Sequence, residues 1–310
     1  ADREHWLARA ADLPERVTLA QQSAAAPLSF DNVVAGAELP PRLQRRLEAL
    51  AGELNSSIAV LLTAGFGAFL SRMTGTDDIV MSLPVTGRST AKIKASGGMV
   101  SNVLPIRLRD VSSQSPLGLI RSAQLELTGA LRHQRYRSDD IRRDAGFDAG
   151  SVSFGPTINM VFFDDAVAID GTTMEYRILT SGILEDLLIN LYQSSPGAPL
   201  VVDLHGNPNL YSAGQMADHH RRFLVFVERL ISEAQTPIRD IDLLIDGEAD
   251  EIGVLEAGTS LSTDPGPSDN GLILDRFAAQ VRATPDRVAI VDGDRQWTYT
   301  EVDRLRQLPF

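Results

Sequence analysis

The sequence predicts a layered α/β (α+β) domain of intermixed helices and strands, followed by a break in composition and a second patterned segment. Three observations carry this prediction. Short apolar runs of strand length alternate with longer stretches of helical period. The chain has 310 residues with 43% hydrophobic and 23% charged, enough to bury a large core without metal or disulfide staples. Near residue 246 the pattern stops and an acidic, Gly/Pro/Ser-rich stretch begins.

Leu43, Leu47, Leu50 and Leu54 fall at helical spacing behind Pro40 and Pro41, residues that suit a helix start. Asn55-Ser56-Ser57 breaks and recaps the chain, and Ile58 to Met73 is apolar nearly all round, as in a buried helix. Gly65 and Gly67 within it predict close packing. Asp78 to Leu83 reads as a buried strand and, after a Gly/Ser/Lys-rich loop, Met99 to Leu108 as a second. Leu117, Ile120, Ala123, Leu127 and Leu131 mark an amphipathic helix ending near His133. Extended stretches follow at 157–163, 184–192 and 200–205, with a hairpin expected around Asp170-Gly171. Ser212 with Gln215 three residues on is a capping-box signal. It opens a long helix whose apolar side carries Met216, Phe223, Val227 and Leu230.

From Asp246 to Asn270 there are seven acids and no Lys or Arg, which predicts an extended interdomain linker over 246–271. Residues 1–245 then form the main domain, and 272–310 restart helix, turn and strand patterning over a length too short for a domain. Both ends read as cuts through a longer chain.

Charge and composition narrow the chemistry. A formal charge of −12 disfavours nucleic acid and anionic membranes as partners. The absence of cysteine removes disulfides, thiol nucleophiles and thiolate metal sites, and is compatible with the cytoplasm. No HExxH, paired-histidine metal spacing or Walker sequence is present, so no metal site is expected. The five histidines are His5, His133, His205, His219 and His220; the adjacent pair sits mid-helix and reads as surface or packing histidines. Thr180-Ser181-Gly182 continues into Glu185-Asp186, which would repel a phosphate. Arg132, Arg135, Arg137, Arg142 and Arg143 surround Tyr136, either as a docking surface for an acidic partner or as a solvated helix end. No complete catalytic site assembles from these residues.

Several stretches together resemble the C-terminal half of nonribosomal peptide synthetase condensation domains. Gly98 to Arg107 is similar to the family's G-x-x-x-N-x-L-P-x-R motif, and His133-Gln134-Arg135-Tyr136 to its next one, with Asp139-Asp140 where a carboxylate is expected. Phe154-Gly155-Pro156 leading to Asn159 resembles a Gly-Pro-x-x-Asn strand, and Thr180-Ser181-Gly182 with Asp186 a T/S-x-G-x-x-x-D-L stretch. Glu4-His5-Trp6-Leu7 resembles the segment joining the family's two lobes. The run from Leu131 to Gly146 is most similar to siderophore-synthetase condensation domains. Phe277, Pro285-Asp286, Val288-Ala289-Ile290 and Trp297 to Glu301 resemble the opening of an adenylation domain.

The resemblance implies a chloramphenicol-acetyltransferase-like lobe with a mixed sheet and packed helices, one of two forming a V around a substrate tunnel. It implies amide-bond formation between carrier-bound acyl or peptidyl and aminoacyl thioesters. The family's HHxxxDG sequence, whose second histidine serves the attacking amine, lies in the other lobe and does not occur here, so the resemblance implies a chain inactive alone. No catalytic residue is therefore assigned. Tunnel candidates are Gly98, Asn102, Ser181, Gly182 and Asp186; carrier-docking candidates are Arg132, Arg135 and Arg137. Asn102 suits either a pantetheine hydrogen bond or a loop cap, and Asp186 either the tunnel or an internal partner. No cofactor is bound directly; the phosphopantetheine arms of partner carriers would enter. The implied partners are the N-terminal lobe, both carrier domains and the adenylation domain. The rival readings are a non-catalytic scaffold lobe and a stand-alone acyltransferase completed by oligomerisation.

Overall fold

In the computed structural model the described residues are 1–21, 26–88, 90–95, 97–98, 100–146, 153–162, 182–195, 197–257, 273–293 and 295–306. The chain divides into two units, Ala1–Ala249 and Asp250–Phe310.

The first unit opens with helix α1 (Asp2–Ala10) and edge strand β1 (Val33–Glu38). Helix α2 (Pro41–Glu53) starts on its prolines as expected and buries Leu43 and Leu47. Helix α3 (Ile58–Thr74) is capped by the Ser57 hydroxyl and ends at Gly75, which takes the left-handed conformation that favours glycine. Strand β2 (Ile79–Val85), the short helix α4 (Ala91–Lys94) and strand β3 (Asn102–Leu108) follow. Next come helices α5 (Pro116–Arg132) and α6 (Ser138–Asp144) and strands β4 (Thr157–Phe162), β5 (Leu187–Gln193) and β6 (Val201–Gly206). Helix α7 (Ala213–Ser232) carries the predicted capping box complete, with Ser212 and Gln215 bonding reciprocally.

The six strands form one mixed sheet in the order β1-β6-β5-β4-β2-β3. The β2–β4 and β4–β5 neighbours are parallel, the others antiparallel. Helices α3, α5 and α7 pack on one face. The core there is built from Phe66 and Phe69 of α3 meeting Phe223 and Phe226 of α7, with Phe223 edge-on to Phe66 at 5.9 Å and to Phe69 at 5.5 Å. Close packing at the α3 glycines is as the sequence predicts. A methyl on Gly67 would lie 2.4 Å from Leu108 Cδ1, and one on Gly65 3.3 Å from Val227 Cγ2.

Two expectations need correction. The strand expected from Met99 begins at Asn102, because the preceding loop is organised by Arg88 instead. Its guanidinium donates to the carbonyls of Ile93 and Gly98, both at 2.9 Å. The segment expected to be extended from residue 246 opens with helix α8 (Glu248–Ala257). A doubly bonded ion pair from Arg222 of α7 to Glu248 holds its first turn, which the acid-rich composition does not reveal. The expected hairpin at Asp170-Gly171 lies outside the described residues.

In the second unit, helix α9 (Ile273–Ala283), strands β7 (Val288–Asp292) and β8 (Arg295–Thr298), and helix α10 (Tyr299–Arg306) follow. The two strands pair antiparallel. The α10 start is capped by Thr298 and Glu301, whose side chains bond each other's backbone N–H. Phe277 of α9 meets Tyr299 with ring centres 5.8 Å apart.

Candidate functional site

Asn102, the asparagine of the motif, stands at the start of β3 and spends its amide on the loop between α5 and α6. Its Nδ2 donates to the carbonyls of Gln134 at 3.0 Å and Tyr136 at 2.7 Å. Its Oδ1 accepts from the backbone N–H of Ser138 at 2.9 Å, capping the first turn of α6 from outside the helix. This bracket fixes the loop after α5 that carries Arg135 and Arg137; these two and Arg132, the last residue of α5, are exposed and without a carboxylate partner among the described residues. Arg142 and Arg143 of the same basic run are instead committed to Asp139 and Asp140 within α6. Gly98 is exposed, and its carbonyl accepts from Arg88. The glycine that this loop requires is Gly87: its φ is +65°, and a Cβ there would lie 2.0 Å from the Val100 carbonyl oxygen.

Asp186 forms a second, separate group just before β5. It accepts from the hydroxyls of Tyr211 at 2.5 Å and Thr18 at 3.1 Å. Burial pushes its carboxyl up, opposed by these two donors, and the Tyr211 hydroxyl is raised by burial and by the adjacent carboxylate. Asn207 strengthens the same region by donating to the carbonyls of Pro27, Leu184 and Glu185. Gly182, four residues before Asp186 in the chain, has φ +77° and accepts from Asn32 Nδ2. Ser181 lies outside the described residues.

The sheet face away from the helices carries a polar row. Val202 and Leu204 of β6 enter the core, so Asp203 between them points to the opposite face. Pairing sets Gly36 of β1, Asp203 of β6, Asn190 of β5 and Asn159 of β4 side by side. Asn159 Nδ2 donates to Asn190 Oδ1 at 2.8 Å. Asn190 is 1% exposed, and its own Nδ2 has no partner among the described residues. Burial raises the Asp203 carboxyl to about 6. Of this row, sequence reasoning found only Asn159; Asp203 and Gly36 carry no motif signal.

The five histidines do not form one cluster, and His205 is buried on β6. His5 and His133 stack with ring centres 3.9 Å apart, and His133 Nδ1 meets Asp2 at 2.9 Å. Burial and the neighbouring His133 lower His5 to about 4. His220 is buried and bonds the Val202 carbonyl at 2.9 Å, while His219 lies edge-on to Tyr211, so both are packing residues as expected. Among the described residues no cluster of three metal-ligating side chains exists. Arg107, which ends the first motif, is a clamp: Asp78 and Asp12 hold its guanidinium at 2.8 and 2.7 Å and keep it firmly protonated.

This mixed sheet, covered by helices on one face and joined by bracketed motif loops, matches solved structures closely. The first condensation domain of the calcium-dependent antibiotic synthetase superimposes with a TM-score of 0.70 at 32% identity, over 79% of this chain and 53% of that one. The condensation-domain profile matches residues 1–252. The chain belongs to the condensation-domain family. Among curated relatives, a dimodular nonribosomal peptide synthase of Bacillus subtilis is 32% identical over 99% of this chain and 13% of its own length. Enterobactin synthase component F of Escherichia coli O157:H7 is 26% identical over 82% of this chain and 19% of its own length. The chain thus spans about half of a solved condensation domain and a small part of the synthetases it matches. Among the described residues no single helix is long and apolar enough to cross a membrane.

Proposed function

We propose that this chain is the acceptor-side, C-terminal lobe of a nonribosomal peptide synthetase condensation domain, serving amide-bond formation between two carrier-bound thioesters. The observation that carries the reading is the match of residues 1–252 to the family together with coverage of only 53% of a solved domain. In this reading the imidazole that handles the acceptor amine comes from the partner lobe, because this sequence holds no HHxxxDG, and the 310 residues are inactive alone. The lobe works in the cytoplasm on phosphopantetheine thioesters presented by upstream and downstream carriers. Arg132 at the end of α5 and Arg135 and Arg137 on the loop that Asn102 holds in place supply positive charge for carrier docking. Gly98, Ser181, Gly182 and Asp186 serve the substrate tunnel and lobe junction in this reading. Residues 272–310 are the start of an adenylation domain, joined through 246–271.

The test is a condensation assay read by intact-protein mass spectrometry. Acyl-loaded donor carrier and aminoacyl-loaded acceptor carrier are mixed with this chain, with and without a separately expressed N-terminal lobe. Product only when that lobe is added is the expected outcome. Product from this chain alone would overturn the assignment of catalysis to the partner lobe. Failure in both arms, while an intact condensation domain works in parallel, would favour a non-catalytic scaffold.

A further inference from the structure

The row of Gly36, Asp203, Asn190 and Asn159 has a chemistry that the fold does not use. Strands β1, β4, β5 and β6 contain no Lys or Arg, and Asp203 makes no ion pair among the described residues. The charged neighbour on the same face is an acid, Glu38, which adds to burial and Asp203 in raising the Tyr192 hydroxyl. His205, two residues along β6, is lowered by burial and so supplies no cation. A half-buried carboxylate with no cation is therefore left facing away from the helices, at an energetic cost that a fold without a use for it would shed by substitution.

The amide beside it is also incomplete. Asn190 Oδ1 is taken by Asn159 on the β4 side. The other branch of the carboxamide, Nδ2, is not used by Asn159, and across the pair on β6 the register partner of Asn190 is Asp203. That nitrogen is buried and lacks an acceptor among the described residues. An acceptor on Asp203 and an unused donor on Asn190 therefore stand on neighbouring strands at paired positions of one sheet face. Gly36 makes this placement possible. A Cβ at this position would lie 1.8 Å from Asp203 Oδ1, so the carboxylate rests on bare backbone.

We propose that Asp203 and Asn190 form the subsite that receives the aminoacyl end of the acceptor thioester, Asp203 accepting from its α-ammonium and Asn190 donating to its carbonyl. The assignment rests on the functional reading above for the identity of the ligand. It fits the ligand's chemistry: a cationic amine next to a carbonyl needs one anionic acceptor and one neutral donor a short distance apart. Both are positioning residues; the proton that the amine must lose before attack is left to the partner lobe.

The experiment uses two stable probes on the full chain. One is the amide of alanine with N-acetylethylenediamine, which mimics an alanyl-pantetheine end. The other is its propionyl counterpart, identical except for the missing amine. Affinities are read by NMR titration, following the side-chain NH2 signals of Asn190 and Asn159. The expected result is about tenfold tighter binding of the alanyl probe, the worth of one charged hydrogen bond, with the Asn190 signal shifting. Asp203→Asn is expected to bring the two probes to equal affinity. Gly36→Ala keeps the carboxylate but displaces it, and is expected to do the same. Equal binding of both probes to the unaltered chain, no binding of either, or discrimination that survives in a folded Asp203→Asn chain would each overturn the subsite. The condensation assay separates this from the functional reading. Product with the added lobe upholds that reading whichever way the titration falls, and discrimination without product would refute it while leaving the subsite intact.

Discussion

Replacing Asn102 by alanine tests whether the motif asparagine acts through the fold. Three hydrogen bonds vanish: two from Nδ2 to the carbonyls of Gln134 and Tyr136, and one into Oδ1 from the Ser138 N–H. At about 1 kcal/mol net each they sum to about 3 kcal/mol. Gln134 and Tyr136 are only partly buried, so water can reach their carbonyls and recover some of this. We expect a loss of about 2 kcal/mol in urea unfolding followed by fluorescence. Hydrogen exchange at the Ser138 amide should accelerate well beyond the global change, because its acceptor is gone while the rest of α6 is intact. Asn102→Asp sharpens the test. A carboxylate still caps Ser138, and favourably so at a helix start, but its other oxygen faces two carbonyls and has no proton to give. The aspartate variant should therefore keep Ser138 protected yet be no more stable than the alanine variant. A loss under about 0.5 kcal/mol for Asn102→Ala, with Ser138 exchange unchanged, would refute the bracket.

Other outcomes follow from the same kind of reasoning. Gly67→Ala places a methyl against Leu108 Cδ1 and should cost about 1–3 kcal/mol in thermal or urea unfolding, whereas Gly52→Ala, with open space around it and a helix former gained, should be neutral or stabilising. Glu248 is lowered from 4.5 to about 2, first by its hydrogen bonds to Arg222. Its contribution is complete above pH 4.5 and fades as pH falls toward 2, so the stability gap between the unaltered chain and Glu248→Gln should close over that window in urea midpoints. His5 is lowered from 6.5 to about 4 by burial, so the unfolded chain takes up this proton first. Stability should fall from pH 6.5 toward pH 4 and level off below, and His5→Phe, which stacks on His133 but cannot be protonated, should flatten that slope.

Much of the architecture was legible along the chain because it rests on local signals. The capping box at Ser212, the prolines before α2 and the all-round apolar α3 each declare themselves within a few residues. The family resemblance was legible too, since short motifs in a constant order need no structure to be seen. Less local elements were missed. Strand β1 is short, contains a glycine and is held chiefly by its partner β6, so its own sequence has little strand signal. Helix α8 depends on Arg222, 26 residues away, and composition alone predicted an extended segment there.

The same division holds for the site. By itself the sequence determined which residue types occupy the motifs, that no cysteine chemistry is available, and that a dense run of arginines surrounds Tyr136. Only the tertiary structure decided what they do. It turned Asn102 into a bracket and Arg107 into a clamp, and it sorted Arg142 and Arg143 into helix pairs while leaving Arg132, Arg135 and Arg137 exposed. It also brought Gly36, Asn159, Asn190 and Asp203 into one row from four separate strands. The physical reason is that a hydrogen bond or a desolvated carboxylate depends on distance and burial in space, and sheet register joins residues that are 167 positions apart in the chain, as Gly36 and Asp203 are.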